Sequence, residues 1–219
     1  MMQQKNVFKK TVFVLLLCLA GTTVSFAQKG GEDFVITTQG DSLSGKITKR
    51  KATQITIRRP DGKQKLTTKE VRKYYLEKSN KTYLSLITSE SRRDDPVFLL
   101  LLIDGDLQLL EDDNQKGGAP MMTGGGLAMG GGPMMMGGGY TPKKFYARKG
   151  TSSYAVAIRD NNLFSKVTRA SGKRELIQLI SDNKALAEQL TKEKRFSKSV
   201  LEDYIKAYNL QKKYDNPSE

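Results

Sequence analysis

The chain has 219 residues, with 37 lysine and arginine side chains against 23 acidic ones and a formal net charge of +14. It contains one cysteine, no histidine and no tryptophan. These counts exclude a Cys/His zinc site, a triad with histidine as its base and an internal disulfide bond. An all-oxygen cation site and a Ser–Lys dyad remain open.

The N-terminus has the pattern of a secretory signal peptide. Three lysines precede an uncharged apolar run at residues 11–20, and "SFA" at residues 25–27 is a small-x-small cleavage pattern. A membrane-spanning helix needs about 20 apolar residues, and this run has about half that number. We therefore expect cleavage after Ala27, with residues 1–27 removed on export and no transmembrane segment left. The mature protein is expected in the periplasm or at the outer envelope.

Residues 28–116 alternate short strands with turns. "FVIT" and "SLSGKI" flank "QGD", "TQITIRR" and "QKLTT" flank "PDGK", and "VRKYYLEK" precedes "TYLSLITS". "VFLLLLI" and "LQLLE" flank Asp104-Gly105 and predict another hairpin, whose first strand is buried on both faces. Strands at this spacing indicate an antiparallel sheet, either a sandwich or an open barrel.

Residues 117–142 are rich in glycine and methionine and almost free of charge. Thioether sulfurs can bind Cu(I), and the candidate ligands are Met121, Met122, Met129, Met134, Met135 and Met136. No histidine or cysteine assists them, and ordering a flexible chain costs about 1–2 kcal/mol per residue. Methionines also adapt to many apolar surfaces, so a contact segment is a second interpretation. We favour a third, a disordered spacer inserted in a hairpin loop.

The C-terminal part changes from strand to helix patterning. Residues 143–170 predict two strands, "KKFYARKG" and "SSYAVAI", that complete the sheet. Residues 171–214 have helical periodicity, with Asp182 expected to cap one helix and Ser199 with Glu202 expected to form a capping box for the last. Residues 215–219 are expected to be a disordered tail. The sequence thus predicts an α+β fold, an antiparallel sheet domain followed by two or three short helices.

Basic residues concentrate in the first strands. The candidate polyanion-binding residues are Lys49, Arg50, Lys51, Arg58 and Arg59. Tyr74 and Tyr75 lie beside further cations, an interleaving that single-stranded nucleic-acid-binding folds use. Alternating lysine and arginine are also typical of a solvated sheet face whose charges prevent edge-to-edge aggregation. Both interpretations stay open.

Three stretches follow a recognisable layout. "DFVITTQGDSLSGKI" opens it, "LIDGDLQLL" resembles an "LxDGxxxLY" hairpin with Leu110 at the aromatic position, and residues 175–209 contain "S-D-x-x-x-L" and a final helix ending "Y-N". This layout resembles that of a group of uncharacterised secreted proteins of Bacteroidota, many of which have cysteine where Asn183 stands. No activity is assigned to the group. The resemblance implies export and the order of sheet and helices, and it implies no catalytic residue.

The sequence therefore predicts an exported cell-envelope protein with a non-catalytic binding or structural accessory role. We expect no cofactor and an envelope protein as partner. One alternative is a polyanion-binding module for anionic lipid, lipopolysaccharide or single-stranded nucleic acid. A further alternative is Cu(I) binding through the methionine-rich loop.

Overall fold

The computed structural model describes residues 31–91, 94–113, 143–161 and 165–215. In these ranges eleven strands precede three α-helices, so the expected α+β class with helices after the sheet is confirmed. The expected signal peptide at 1–27, the glycine- and methionine-rich segment at 117–142 and the last four residues lie outside the described ranges. No helix in the described part is long and apolar enough to cross a membrane.

The strand and helix boundaries follow the expected alternation of strands and turns. The strands are β1 Phe34–Thr37, β2 Ser42–Ser44, β3 Lys46–Lys51, β4 Gln54–Arg59, β5 Gly62–Thr67, β6 Val71–Leu76, β7 Lys81–Thr88, β8 Val97–Ile103, β9 Leu107–Asp112, β10 Lys144–Lys149 and β11 Tyr154–Asp160. The helices are α1 Arg169–Leu179, α2 Lys184–Lys192 and α3 Lys198–Asp215. The expected hairpins β1–β2, β4–β5, β6–β7, β8–β9 and β10–β11 are confirmed by their antiparallel pairing.

Five consecutive strands, β7 to β11, close into a hydrogen-bonded ring. Each pairs antiparallel with the next, and β11 also pairs in parallel with β7 at Tyr154–Ile87 and Ala155–Thr88. The Ile87 amide donates to the Ser153 carbonyl across this junction at 3.0 Å. Because direction alternates along the chain, the first and fifth strands point the same way, and the closing pair is parallel. The same sheet continues outward from β7 through β6, β1 and β2.

A second sheet, β3-β4-β5, packs on the extension of the first one. Ile55, Ile57 and Leu66 are buried from the small sheet, and they cluster with Tyr83 and Phe98 of the large one. Alternation along the strands aims these apolar side chains inward and their neighbours outward. The small sheet therefore buries one face and exposes the other.

The helices cover the outside of the ring. Leu176 of α1, Leu190 of α2 and Leu201 of α3 are fully buried, together with Phe145 and Ile158 from the strands beneath. Contact between α1 and β11 is close enough to require glycine. A Cβ atom on Gly172 would lie 1.7 Å from the Ile158 carbonyl oxygen.

Two expected helix caps are wrong by one or two residues. Asn183 caps α2, since its side chain accepts from the Leu186 amide at 3.1 Å, and the Asp182 carboxylate instead accepts hydrogen bonds from lysines and a tyrosine. Ser197 precedes α3 and accepts from the Val200 amide at 3.2 Å. Ser199, inside the first turn, shares a 2.8 Å hydrogen bond with Ser197. Asp182 does not cap α2 because its carboxylate pairs with Lys149 and Lys212. Ser199 does not cap α3 because the helix starts one residue before it.

Candidate anion-binding surface

The outer face of the small sheet carries most of its cations. Strands β3, β4 and β5 are in register across three rows, Lys46–Arg58–Lys63, Lys49–Thr56–Lys65 and Lys51–Gln54–Thr67. Every member of these rows lies on the side opposite the buried Ile55, Ile57 and Leu66. We call the six cations the basic sheet face: Lys46, Lys49, Lys51, Arg58, Lys63 and Lys65. All six are exposed.

Like charges face one another on the basic sheet face. Arg58 lies directly between Lys46 and Lys63 in the first row. Side chains paired across antiparallel strands are separated by roughly 5 Å at Cβ, and like charges placed there are destabilising. Among the described residues, no carboxylate comes within 4.0 Å of any of the six cations. The fold holds these charges together without neutralising them.

The acidic residues nearest in sequence are used elsewhere. Asp61, in the β4–β5 turn, lies 3.8 Å from Arg59. Glu70 accepts hydrogen bonds from the Thr67 amide at 2.8 Å and from its hydroxyl at 2.7 Å, which holds the turn after β5. These contacts also hold the pKa of Glu70 below its usual value. Both carboxylates stabilise turns at the ends of the sheet.

The candidate cations from the sequence divide between two faces. Lys49, Lys51 and Arg58 belong to the basic sheet face, whereas Arg50 and Arg59 lie on the other side of their strands. The Arg50 guanidinium donates to the Tyr83 hydroxyl at 2.6 Å. Arg59 lies beside the β4–β5 turn, 3.8 Å from Asp61. The structure thus brings together three of the five candidates and adds Lys46, Lys63 and Lys65.

Arg50 belongs to a partly buried polar cluster. The Tyr83 hydroxyl donates to Asp113 at 2.5 Å, and the Arg50 guanidinium lies 3.8 Å from the same carboxylate and 5.1 Å from the Tyr83 ring centroid. Tyr74 stacks on Tyr83 with ring centroids 4.6 Å apart. Burial and then the Asp113 carboxylate raise the pKa of the Tyr83 hydroxyl above its ordinary value. Arg50 therefore has its counter-charge within the protein.

The aromatic side chains suggested by the sequence do not accompany the basic sheet face. Tyr74 is buried in the core between the two sheets, and Tyr75 stacks on Phe34 at 5.2 Å in the large sheet. The uncharged members of the three rows are Gln54, Thr56 and Thr67. This surface offers cations and small polar groups, with no ring in its rows for a base to stack on.

The remaining candidates from the sequence give no described site. All six methionines proposed as Cu(I) ligands lie outside the described residues. Within the described ranges, no group of three or more acidic side chains is placed to hold a metal ion. The Asp104 carboxylate accepts from the Gly105 amide at 2.9 Å and from the Gln108 side chain at 2.6 Å, so it stabilises the β8–β9 turn.

Two parts of the sequence layout that resembles the Bacteroidota group, the β8–β9 turn and the C-terminal half of α3, are in contact. The Asn209 side chain accepts from the Leu107 amide at 2.8 Å and donates to the Leu107 carbonyl at 2.9 Å. A Cβ atom on Gly105 would lie 2.5 Å from this side chain. Tyr208 donates to Asp182 at 2.8 Å. These contacts lock the last helix to the sheet.

Two lysines add ion pairs to these contacts. Lys149 and Lys212 lie 2.8 Å and 3.0 Å from the Asp182 carboxylate. Partial burial acts to raise the pKa of Asp182, but hydrogen bonds from Lys149, Lys212 and Tyr208 outweigh it and hold the pKa well below its usual range.

No family model, curated protein or solved structure matches the chain.

Proposed function

We propose that this chain is a non-catalytic binding protein of the cell envelope whose basic sheet face holds it to anionic lipid headgroups at a membrane surface. The observation that carries the proposal is the three in-register rows of exposed cations without a described carboxylate partner. Such an arrangement costs folding stability through repulsion. An array of external phosphates relieves that repulsion and gains attraction as well.

Geometry favours a lipid surface over a nucleic acid. Neighbouring strands lie about 4.8 Å apart, and alternate residues along one strand lie roughly 6.6 Å apart, so the six cations form a two-dimensional grid. A plane of headgroups presents charge in two dimensions, whereas a single nucleic-acid strand presents a line of phosphates and bases that need stacking partners. Thr56 and Gln54, between the cations, add hydrogen-bonding groups for phosphate oxygens.

The expected strength is that of an electrostatic anchor. A lysine or arginine near an anionic bilayer contributes about 1 kcal/mol, and the attraction decays within a Debye length of about 8 Å at physiological salt. Six cations on one plane therefore support reversible binding that depends on salt. The expected signal peptide at 1–27 agrees with this role, because an exported protein meets the anionic lipids and lipopolysaccharide of the envelope.

The test is vesicle co-sedimentation with a charge-matched pair of variants. The first combines Arg58→Gln, Lys63→Gln and Lys65→Gln on the basic sheet face. The second combines Lys184→Gln, Lys206→Gln and Lys213→Gln, three exposed helical lysines that have no described ion pair. With phosphatidylglycerol–phosphatidylcholine vesicles we expect the first variant to bind about a hundredfold more weakly than the parent protein. The second should change affinity several-fold at most.

Other results would contradict the proposal. Equal losses in the two variants would mean that net charge, and no particular face, governs binding. Equal binding to vesicles of pure phosphatidylcholine would remove the electrostatic basis. Tighter and more salt-sensitive binding to single-stranded DNA than to anionic vesicles would assign the face to nucleic acid instead.

A further inference from the structure

A second concentration of positive charge surrounds a cavity on the helical side of the molecule. The cavity has a volume of about 480 Å³ and lies between the end of β11, the start of α1 and the connection from α2 to α3. Its described cationic lining is Arg159, Arg169, Lys173, Lys194 and Arg195. Glu193 is the one acidic residue of this described lining. No residue is shared with the basic sheet face.

Lys173 is fixed in the cavity by neutral groups. Its ammonium donates to the Thr191 carbonyl at 2.8 Å and to the Glu193 carbonyl at 2.7 Å, which ties α1 to the end of α2. Backbone carbonyls orient an ammonium and leave its full charge in place. Across the cavity, the Arg159 guanidinium donates to the Phe196 carbonyl. Two inner cations are therefore held in fixed positions.

The rim adds cations that have no described carboxylate partner. Arg169, Lys194 and Arg195 are exposed, and no carboxylate in the described ranges lies within 4.0 Å of them. The Glu193 carboxylate accepts from the Arg195 backbone amide at 3.2 Å and makes no ion pair within 4.0 Å among the described residues. As on the basic sheet face, several cations lie close together without a described carboxylate partner. Here they surround a concave space.

We propose that this cavity binds a small phosphorylated organic molecule. Its volume falls in the range of about 300–1,000 Å³ that small-molecule sites occupy. Arginine guanidinium groups match phosphate oxygens with two parallel hydrogen bonds, and Arg169 and Arg195 supply two such groups at the rim. Phe196 and Ala170, also in the lining, give the organic part apolar contacts. This site is independent of the lipid-binding role proposed above.

Calorimetric titration with pyrophosphate tests the charge recognition. The parent protein should bind pyrophosphate at one saturable site, and the Arg169→Gln/Arg195→Gln variant should bind at least about tenfold more weakly. Both side chains are exposed, so the variant should keep the thermal melting curve of the parent. The charge-matched control is Lys63→Gln/Lys65→Gln on the basic sheet face, which should leave pyrophosphate binding unchanged within about twofold.

A second titration tests the organic part of the ligand. Phenyl phosphate should bind more tightly than inorganic phosphate, because its ring can contact Phe196. Equal affinities for these two probes would overturn the assignment of an organic ligand. Pyrophosphate binding that does not saturate, or that weakens equally in the cavity variant and the sheet control, would overturn the site itself.

Vesicle binding keeps the two proposals separable. The Arg169→Gln/Arg195→Gln variant should retain the parent's affinity for anionic vesicles within about twofold. Loss of vesicle binding in this variant, with pyrophosphate binding intact, would move the membrane-facing surface to the cavity rim. Loss of both would show one general anion-binding field in place of two sites.

Discussion

Several cations of the ring and its helices lie beside carboxylates, whereas those on the outer face of the small sheet lie beside one another. Lys149 and Lys212 share Asp182, and Lys144 lies 3.0 Å from Glu90. On the basic sheet face, Arg58 is flanked by Lys46 and Lys63. The same residue types thus stabilise the fold in one region and strain it in the other.

This difference has a consequence for the folding stability of each region. Paired charges between elements fix how those elements pack, and a helix that must stay on a sheet gains from them. Unpaired like charges on one face repel one another and lower folding stability. Substitutions should therefore have opposite effects on folding stability in the two regions.

Gly172→Ala should give the largest loss of stability. The new methyl group would lie 1.7 Å from the Ile158 carbonyl, so α1 must move away from β11 or the strand must shift. Overpacking at a tight contact typically costs about 1–3 kcal/mol or more, and we expect a loss of about 3 kcal/mol in urea unfolding. The control Ala207→Gly, on an exposed position of α3, should cost about 1 kcal/mol. An unchanged unfolding midpoint for Gly172→Ala would contradict the close helix–strand contact.

Asp182→Asn should have an intermediate and pH-dependent effect. Because the folded pKa of Asp182 is depressed, its stabilisation is fully present above the ordinary carboxyl pKa of about 4 and is lost as pH falls through the folded value. The group is partly exposed, so after solvent screening we expect about 1 kcal/mol near neutral pH. Urea unfolding of parent and variant should converge as pH is lowered from about 7 towards 2.

The control for this pH series is Asp203→Asn, an exposed carboxylate of α3 with no described ion pair. Its difference from the parent should stay small and nearly constant over the same pH range. A difference for Asp182→Asn that grows on acidification would show that the ionised carboxylate destabilises the fold. The ion pairs of Asp182 would then not be what holds α3 in place.

Arg58→Glu should raise stability slightly. The new carboxylate lies between Lys46 and Lys63, so two repulsive cross-strand pairs become attractive. Such pairs contribute about 0.2–1 kcal/mol each, and we expect a gain of about 0.5 kcal/mol that shrinks in high salt. Arg58→Gln removes repulsion without adding attraction, so its folding stability should lie between that of the parent and that of Arg58→Glu. Vesicle binding should weaken in both variants, and a loss of stability in Arg58→Glu would break the contrast between the regions.

Local signals in the sequence were sufficient for the hairpins. Asp104-Gly105 and Asp61-Gly62 mark tight turns, and alternating apolar residues define the strands on either side. Closure of the ring had no local signal, because Ile87 and Tyr154 are far apart in the chain. The misplaced cap at Asp182 has a similar cause, since its ion-pair partners Lys149 and Lys212 lie in elements that periodicity does not bring together.

The basic sheet face was only partly predictable for a definite structural reason. Lys46 and Lys49 are three positions apart, so strict alternation puts them on opposite faces. A register shift between Ile47 and Lys49 returns both to the outer face. Lys63 and Lys65 were within reach of sequence reasoning, because the β4–β5 turn sets their register opposite Arg58 and Thr56.

The Asn209 contact has a consequence for the order in which the chain folds. Its side chain pairs with Leu107, 102 residues earlier, and the ring beneath it closes only when β11 reaches β7. A chain made or delivered from its N-terminus can form its early hairpins at once, but it cannot make this contact until α3 has emerged. Contacts this distant also slow folding. The contact between α3 and the β8–β9 turn is therefore expected to form late in folding.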